Sequence, residues 1–592
     1  MSFLRYLAAS AGLLPVAAWA QITNPVPAKI AKGPITLEVS DWIAAPATGS
    51  SPRARLSVTK PAYDGSGRLF VCDLNGQMYV IRDGVLSTYL DLEAQIPAFV
   101  EEPKLGTGFH SFAFHPDFKT NGKFYTAHTE NPGAVTADFR PPTSISIEMQ
   151  SVITEWTVAD PSAAVFTGTH REVLRIDFPH AVHNVQDIAF NPYVTSGNED
   201  YGMLYVCVGD GEAVAGGYPE IGHRLDSVMG TLLRIDPLGT NGVNGRYGVP
   251  AGNPFVADGD AATLGEIYAW GFRNPHRLSW DSAHPDRLYL FNIGERQLEE
   301  VEWIVKGGDH GYSVREGTFE LKPSVDPDVV FPLPANDASF DYVYPVAQYD
   351  HDEGRAIAGG FVYRGTAVPQ LTGRLIFGDI ANGRIFTVPA DGLVRGQPAT
   401  VTEVTLTRNG VVRTLLQLTG ASRTDLRFGM DESGELYVTT KQDGKIRRVL
   451  AQPPPVNGTG RIANIATRGE VGQGAAILIG GFVVEDAKRA LLIRGVGPTL
   501  GSFGVANALA DPMITLYRNG SDAVVASNDN WGAAANAAEI ASAAAGAGAF
   551  ALTAGSADAS LLLTLEPGAY TVHLAGAGGS TGVGLIEVYE IR

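Results

Sequence analysis

The sequence predicts an all-β protein, a six-bladed β-propeller followed by a smaller β-sandwich domain. Between about 55 and 450, a short β-rich run, a turn with Asp, Asn or Gly, and a second run with aromatic residues recur six times. Such strand pairs suit radial blades, which pack against their neighbours and expose only short edges. A single sandwich of about 400 residues would need more strands than two packed layers usually hold. The six units are centred on 69–81, 112–128, 188–208, 278–304, 360–388 and 428–449.

Length and composition support this organisation. A chain of 592 residues exceeds what one hydrophobic core usually serves. Only 18% of the residues are charged and 69 are glycine, which favours short strands joined by turns over long surface helices. The net charge of −19 argues against a nucleic-acid partner, which would need a basic face. The longest connections, 131–180, 211–265 and 309–357, are expected to shape a pocket at one end of the central channel.

The first twenty residues predict export to the periplasm or the medium. Arg5 precedes an apolar run over 6–18, and Ala18-Trp19-Ala20 has the small-x-small form of a signal-peptidase site, with cleavage after Ala20. The alternative is an uncleaved anchor, but the run is shorter than the roughly 20 apolar residues that span a bilayer. No later segment is long and apolar enough to do so. Cys72 and Cys207 are either a disulfide or two buried thiols.

A proline-rich linker over 451–458 separates the propeller, 30–450, from the β-sandwich, 459–592. Beyond the linker the composition shifts to Ala and Gly, and strand-like runs recur. The closing pattern, 567–574, resembles the last hairpin of accessory β-sandwich domains of secreted bacterial enzymes, which implies polysaccharide or cell-surface contact. Trp531 in Asp529-Asn530-Trp531 either stacks on a sugar or packs in the core. The strands of this second domain are expected at 476–484, 490–495, 513–517, 561–565, 570–575 and 584–589.

A series of motifs in a fixed order carries a family resemblance. The motifs are Ala181-Val182-His183-Asn184, Leu204-Tyr205-Val206-Cys207-Val208-Gly209-Asp210-Gly211, Gly230-Thr231-Leu232-Leu233-Arg234-Ile235-Asp236-Pro237, Gly271-Phe272-Arg273-Asn274-Pro275 and Lys306-Gly307-Gly308-Asp309-His310-Gly311-Tyr312. In order and spacing they resemble the soluble quinoprotein glucose/sorbosone dehydrogenase family, over roughly 100–450. The resemblance implies a six-bladed propeller that oxidises a sugar or polyol hydroxyl with pyrroloquinoline quinone (PQQ) and calcium.

His183 matches the catalytic histidine of that family. The resemblance implies that it takes the substrate hydroxyl proton, and an imidazole suits this role because its unperturbed pKa near 6.5 lets it accept a proton at neutral pH. The alternative is a hydrogen-bonded packing histidine, and His180 lies only three residues away.

Arg273, Asn274 and Arg423 match cofactor-contacting positions. A guanidinium can pair with a carboxylate of the quinone or stabilise the charge of its reduced form, and an amide can orient the ring edge. Arg423 and Arg427 correspond loosely to the paired arginines of the glucose enzymes. The alternative for Arg273-Asn274-Pro275 is a turn between blades, with the arginine bonded to a backbone carbonyl.

Gly294 and Glu295 fall where the family offers backbone carbonyls to calcium, and Glu300 matches a downstream acidic position. Calcium prefers hard oxygen ligands such as these carbonyl and carboxylate groups. For the side chains of Glu295 and the nearby Glu299, Glu300 and Glu302, a solvated acidic turn is the alternative.

Two departures from the family leave the function open. Val182 stands where sugar-oxidising relatives carry an acidic residue, and Ala381-Asn382-Gly383 lacks the lysine that faces the quinone. A non-catalytic sugar- or protein-binding propeller that has lost the cofactor is therefore the main alternative, and a calcium-dependent lactonase-type propeller is a third. A Cys-x-x-Cys-His haem motif is absent, so an enzyme of this kind would need a separate electron acceptor.

Overall fold

The computed structural model describes residues 20–104, 106–133, 135–451, 464–485 and 488–591. The chain divides into two compact units, Met1–Pro453 and Pro454–Arg592. The expected signal peptide and linker lie outside the described residues, except for Ala20 and Ala451. None of the described helices is long and apolar enough to cross a membrane.

The first unit is built almost entirely of short strands. They are β1 (Lys32–Ala44), β2 (Leu56–Pro61), β3 (Leu69–Asp73), β4 (Gln77–Arg82), β5 (Val85–Asp91), β6 (Phe109–Phe114), β7 (Lys123–Glu130), β8 (Met149–Val158), β9 (Gly168–Phe178), β10 (Val185–Ala189), β11 (Leu204–Val208), β12 (Thr231–Ile235), β13 (Ile267–Trp270), β14 (Asn274–Asp281), β15 (His284–Ile293), β16 (Leu298–Trp303), β17 (Arg315–Glu316), β18 (Phe319–Lys322), β19 (Asp326–Phe331), β20 (Ala347–Asp350), β21 (Ile357–Tyr363), β22 (Arg374–Asp379), β23 (Ile385–Pro389), β24 (Thr402–Arg408), β25 (Val411–Val412), β26 (Leu426–Met430), β27 (Leu436–Thr440) and β28 (Lys445–Ala451). Its short helices are α1 (Leu92–Gln95), α2 (Phe118–Asn121), α3 (Ala213–Gly216) and α4 (Leu415–Thr419), with 3₁₀ turns at Pro219–Gly222, Asp337–Ser339, Pro369–Leu371 and Ala390–Gly392.

These strands form six antiparallel four-stranded blades, which confirms the predicted propeller. The blades are β2–β5, β6–β9, β10–β13, β14–β16 with β20, β21–β24, and β26–β28 with β1. The first strand of each blade contacts the first strand of the next, from β2 through β6, β10, β14, β21 and β26 back to β2. The ring is therefore closed around a central channel, and strand β1 from the N-terminal part completes the sixth blade beside β28.

The blades are held together by apolar side chains on both faces of their sheets. Strands β3, β10, β11 and β12 are buried at every residue, because each blade is covered by a neighbour on either side. Between the first two blades, for example, Phe70, Phe112, Phe124 and Trp156 belong to one buried cluster. The aromatic residues of the sequence repeat thus fill the wedges between blades.

Three expectations about the first unit need correction or completion. The stretches 131–180 and 211–265 are not single long connections, because β8 and β9 pair over ten residue pairs in the first and β12 lies in the second. Cys72 and Cys207 are buried free thiols, so the disulfide alternative is not formed. Burial raises the pKa of Cys72 to about 12. The connection 309–357 does carry an insertion, the three-stranded sheet β17–β19.

The second unit is a β-sandwich. Its strands are β29 (Asn464–Val471), β30 (Leu478–Val484), β31 (Arg489–Val496), β32 (Pro512–Arg518), β33 (Val524–Asn528), β34 (Ala559–Leu565), β35 (Gly568–Gly576) and β36 (Gly582–Ile591); it also has helix α5 (Ala537–Gly546) and 3₁₀ turns at Gly474–Ala476, Pro498–Phe503, Trp531–Ala533 and Ala577–Gly579. Sheets β29-β36-β31-β34 and β30-β35-β32-β33 share one core. Trp531 packs against Leu492, Ile540 and Tyr589, as its packing interpretation expects.

Candidate functional site at one end of the propeller channel

The topology places most of the candidate residues at the same end of the channel. In each blade the first and third strands run one way and the second and fourth the other, so the segment entering the first strand and the loop joining the second to the third lie at one end. His183 and Arg273 precede the first strands β10 and β14. Asp210 and Glu295 follow the second strands β11 and β15.

His183 is held by a buried carboxylate. Its Nδ1 lies 2.9 Å from Oδ1 of Asp210, whose side chain is fully buried. Nε2 of His183 makes no hydrogen bond among the described residues. The backbone of His183 is in the left-handed region, with φ of 54°, and the turn beneath it requires Gly209, where a Cβ would lie 2.3 Å from the carbonyl oxygen of His183.

The network continues from Asp210 to Arg273. The hydroxyl of Tyr312 lies 3.0 Å from Oδ2 of Asp210 and 2.9 Å from Oε2 of Glu295. Nε of Arg273 donates to the same oxygen of Glu295 at 2.7 Å. Two carboxylates, a phenol, an imidazole and a guanidinium therefore form one connected chain, in which charge-assisted bonds fix each side chain.

The pKa directions in this network follow from burial and hydrogen bonding. Burial alone would raise the pKa of Asp210. Hydrogen bonds from His183 and from the backbone N–H of Glu212, together with the charge of Arg273, have the larger combined effect, so the pKa of Asp210 lies below its ordinary value. Burial and the charges of Asp210 and Glu295 hold the pKa of Tyr312 well above its ordinary value. Asp210 is thus an anion and Tyr312 a neutral donor at neutral pH.

A group of cationic and histidine side chains lines the channel at this end without carboxylate partners. Arg427 on β26 donates through Nη1 to its neighbouring carbonyl, while its buried Nε has no hydrogen-bond partner in the described chain. Lys441, after β27, is buried and forms no ion pair with any described residue. His110 and His276 have unsatisfied ring nitrogens in the same described part. Burial and nearby cations lower the pKa of Arg427 to about 9 and that of His110 to about 3.

Such a group fits an anionic ligand. Buried cations without counter-charges are costly unless an anion pairs with them. The carbonyl oxygen of the Asn274 side chain is also buried without a described partner, and it faces the same channel end from the start of β14. The backbone N–H of Asn274 donates a hydrogen bond to Oδ1 of Asn292 at 3.0 Å. The residues present therefore fit a quinone bearing carboxylates.

The other sequence-derived candidates differ in their surroundings. Arg423 is half exposed and pairs with Asp425 at 2.5 Å, so it lies at the rim, whereas Arg427 is buried. Gly294 directly follows β15, and a Cβ there would lie 1.8 Å from the carbonyl oxygen of Leu298, so only glycine fits this turn. The carboxylate of Glu295 is occupied by Arg273 and Tyr312, which leaves its backbone as the part available to a metal.

The interpretation of the glutamates near position 300 as a solvated acidic turn is wrong. Glu299, Glu300 and Glu302 are all buried. Asn292 donates to Glu300 at 2.6 Å, and the Nδ1 of His310 lies 2.8 Å from Oε2 of Glu302. Burial raises the pKa of both Glu300 and Glu302 well above the ordinary value. These side chains anchor the strand β16 and the insertion that follows it.

Within the described residues, one His/Asp cluster has metal-ligand spacing, and it lies away from His183. Asp281, His284 and Asp391 come together where β14 ends. Arg364 donates to Asp281 through Nε at 2.8 Å and Nη2 at 2.6 Å, and it also reaches Asp391. An arginine thus already neutralises this cluster.

Asp210, Tyr312 and Lys441 are the site residues that sequence reasoning missed. Asp210-Gly211 is typical of a turn, and Tyr312 lies 102 residues from Asp210 in the chain. Lys441 belongs to the sixth blade, whereas the family resemblance places a lysine near Ala381, in the fifth blade. The signal that could have found Asp210 and Lys441 is positional: each follows the second strand of a blade.

Comparison with known proteins places the chain in a family. The model of the family described as Glucose / Sorbosone dehydrogenase matches residues 60–448. The chain belongs to the glucose/sorbosone dehydrogenase family. Among curated proteins, the HIPL1 protein of Arabidopsis thaliana is 29% identical to this chain over 366 residues, 54% of this chain and 50% of that protein.

Other relatives are named for binding or for catalysis. Human Hedgehog-interacting protein is 26% identical over 412 residues, covering 66% of this chain and 50% of that protein. Quinoprotein glucose dehydrogenase B of Acinetobacter calcoaceticus is 26% identical over 227 residues, 37% of this chain and 42% of that enzyme. The chain spans about half the length of the curated relatives it matches. Among solved structures, the soluble aldose sugar dehydrogenase of Escherichia coli has a TM-score of 0.48 and 17% identity, covering 70% of this chain and 100% of that one.

Proposed function

We propose that this family member is an exported quinoprotein-type oxidoreductase that oxidises a hydroxyl carbon of a sugar or polyol. The observation that carries the proposal is the His183–Asp210 pair at 2.9 Å, at the channel end where Arg427 and Lys441 are buried without an ion pair to any described residue. Oxidation of an alcohol by a quinone that bears carboxylates requires a base for the hydroxyl proton and cationic groups that bind the carboxylates. The name of the Acinetobacter calcoaceticus relative agrees with this chemistry.

In this proposal Arg427, Lys441 and Arg273 would hold PQQ by its carboxylates and polar edge, with Asn274 and Arg423 at its margins. The carbonyl groups of Gly294 and Glu295 would face the calcium ion. When bound, the quinone supplies the acceptor for the hydride of the substrate carbon, and calcium makes that acceptor more electrophilic.

The residues of the chain supply the proton chemistry and the positioning. Nε2 of His183 takes the hydroxyl proton of the substrate, while Nδ1 stays protonated and donates its hydrogen bond to Asp210. The anionic Asp210 stabilises the imidazolium that results and fixes its tautomer. Tyr312 and Glu295 tie this pair to Arg273, so the base and the guanidinium keep a fixed relative position.

Reconstitution tests the proposal. Purified protein supplied with PQQ and calcium should reduce an artificial dye when it is offered aldoses and polyols, and the visible spectrum of the bound quinone should change on adding substrate. Chelation of calcium should abolish the turnover, and added calcium should restore it. Quinone binding with no turnover across a broad panel of sugars and alcohols would contradict the enzymatic assignment.

A binding propeller is the second candidate. The observation that favours it is the match to Hedgehog-interacting protein over 66% of this chain, together with Val182 at the position beside the base. Calorimetry separates the two functions: tight, calcium-dependent binding of PQQ supports the enzyme, and binding of a sugar or a protein without quinone binding supports the second candidate.

Export is part of the proposal and has its own test. The apolar run over 6–18 and the motif Ala18-Trp19-Ala20 support it. N-terminal sequencing of the protein recovered outside the cytoplasm should begin at Gln21. Recovery of full-length protein from the cytoplasm would contradict it.

A further inference from the structure

The end of the channel opposite His183 contains a cavity with aromatic walls. Its lining comes from the residues that end the first strands of the blades, where Pro61 closes β2, Phe114 closes β6 and Met430 closes β26. Trp280 and Phe361 complete the walls. We propose that this cavity is a second ligand site, which binds one neutral aromatic ring that carries an oxygen acceptor.

The size of the cavity matches one ring. Its volume is about 160 Å³. An apolar protein cavity of about 150 Å³ takes up benzene. The cavity therefore has room for a six-membered ring with a small substituent, and not for a fused tricyclic quinone.

A layer of hydrogen-bonded polar side chains separates this cavity from the His183 end of the channel. The buried carboxylate of Asp187 accepts hydrogen bonds from Lys60 at 2.8 Å and Ser111 at 2.6 Å. Arg277 donates to the carbonyl of Gln186 and to Oγ of Ser57, both at 2.9 Å. The space left among these residues is about 20 Å³, enough for about one water molecule. A ligand must therefore enter from the opposite face.

The chemistry of the lining selects a neutral ligand. Lys60 is the one charged residue in the lining, and Asp187 neutralises it. Oγ of Ser279 is buried and lacks a hydrogen-bond partner among the residues the structure describes, so it can donate to an acceptor. At the mouth, the rings of Tyr63 and Tyr193 meet edge to face at 6.3 Å and 81°, a geometry that a further ring can extend.

A binding experiment on the full chain without quinone tests the site. Saturation-transfer NMR should show binding of acetophenone and toluene, and much weaker binding of benzoate. Ala189→Leu, which fills the cavity, should abolish the binding of both neutral rings. The matched control is Ala544→Leu, at an equally buried alanine that lines a cavity of about 100 Å³ in the second unit, and it should leave the binding unchanged. Unchanged binding in Ala189→Leu, an equal loss in Ala189→Leu and the control, or equal binding of benzoate would overturn the proposal.

Ser279→Ala gives a second measurement that does not depend on filling the core. Removal of the donor should weaken acetophenone about 2- to 10-fold and leave toluene unchanged, because only the ketone accepts a hydrogen bond. Equal changes for the two ligands would overturn the assigned role of Ser279. Because no quinone is present, these outcomes are independent of the proposed dehydrogenase activity.

Discussion

His183 and Asp210 lie 27 residues apart in the chain, yet Nδ1 of the histidine is 2.9 Å from Oδ1 of the aspartate. Both belong to the third blade, where the segment entering the first strand and the loop after the second strand meet at the channel mouth. The pairing leaves Nε2 as the nitrogen that can accept a proton.

His183→Ala should abolish turnover while PQQ still binds. The base is lost, but the cations Arg273, Arg427 and Lys441 remain, and removal of a general base typically costs about 10²- to 10⁴-fold in rate. Dye-reduction kinetics and a PQQ titration measure the two effects separately. His180→Ala is the matched control, because His180 contacts Tyr218 and lies outside the network; wild-type activity in His183→Ala would make His183 a packing residue.

Asp210→Asn should lower kcat about 10²-fold or more with little change in KM. The amide keeps the shape but no longer stabilises the imidazolium, and it can present its N–H group to His183 and so favour the wrong tautomer. Steady-state kinetics with a saturating quinone concentration checks this. Tyr312→Phe, which leaves Asp210 charged, should have a smaller effect; an equal loss in the two variants would mean that the network acts only as structure.

Lys441→Met should weaken PQQ binding and stabilise the free protein. Burial lowers the pKa of Lys441 far below its ordinary value, and replacing a buried unpaired cation by an apolar side chain of similar size is expected to gain about 1–2 kcal/mol. Calorimetry and urea unfolding measure the two effects. Lys445→Met, at a half-buried lysine paired with Asp41, is the control and should leave PQQ binding intact. Unchanged binding in Lys441→Met would show that Lys441 does not belong to the anion site.

The protein should lose stability in mild acid. Burial lowers the pKa of His110 and of His310 to about 3, so between about pH 6.5 and pH 3 the unfolded chain binds more protons than the folded one. Each of these groups then removes up to about 1.4 kcal/mol of the free energy of unfolding per pH unit as the pH falls. Urea unfolding at pH 7 and pH 5 measures the slope. His110→Phe, which keeps the ring volume, should flatten it; an identical slope would exclude His110 as a cause.

The sequence predicted the blades better than it predicted the site. Each of the six repeat units falls within one blade, because buried strands announce themselves by local β-branched and aromatic runs. The sequence prediction did not include β8 and β9, and the first four residues of β9, 168–171, are exposed and carry no apolar pattern. It also left out β29 and β33, which are exposed at most of their positions.

The site depends on contacts that no local pattern records. His183, Arg273 and Glu295 were found through ordered motifs, and the structure brings all three into one network. Asp210, Tyr312 and Lys441 come together only because the ring of blades closes, and their local sequences are those of ordinary turns. Whether a glutamate near 300 is buried depends on the insertion at β17–β19, whose Gly317 donates to Glu300.

The propeller should fold and bind PQQ without the second unit. The chain divides at Pro453, and every residue of the His183 network lies before it, so a protein ending at Ala451 retains all six blades. A protein ending at Asp443 lacks β28, which pairs with both β27 and β1; it should expose two strand edges and aggregate. Size-exclusion chromatography and a PQQ titration on both truncated proteins check this. A soluble protein ending at Ala451 that fails to bind PQQ, beside a full chain that binds it, would show that the second unit contributes to the site.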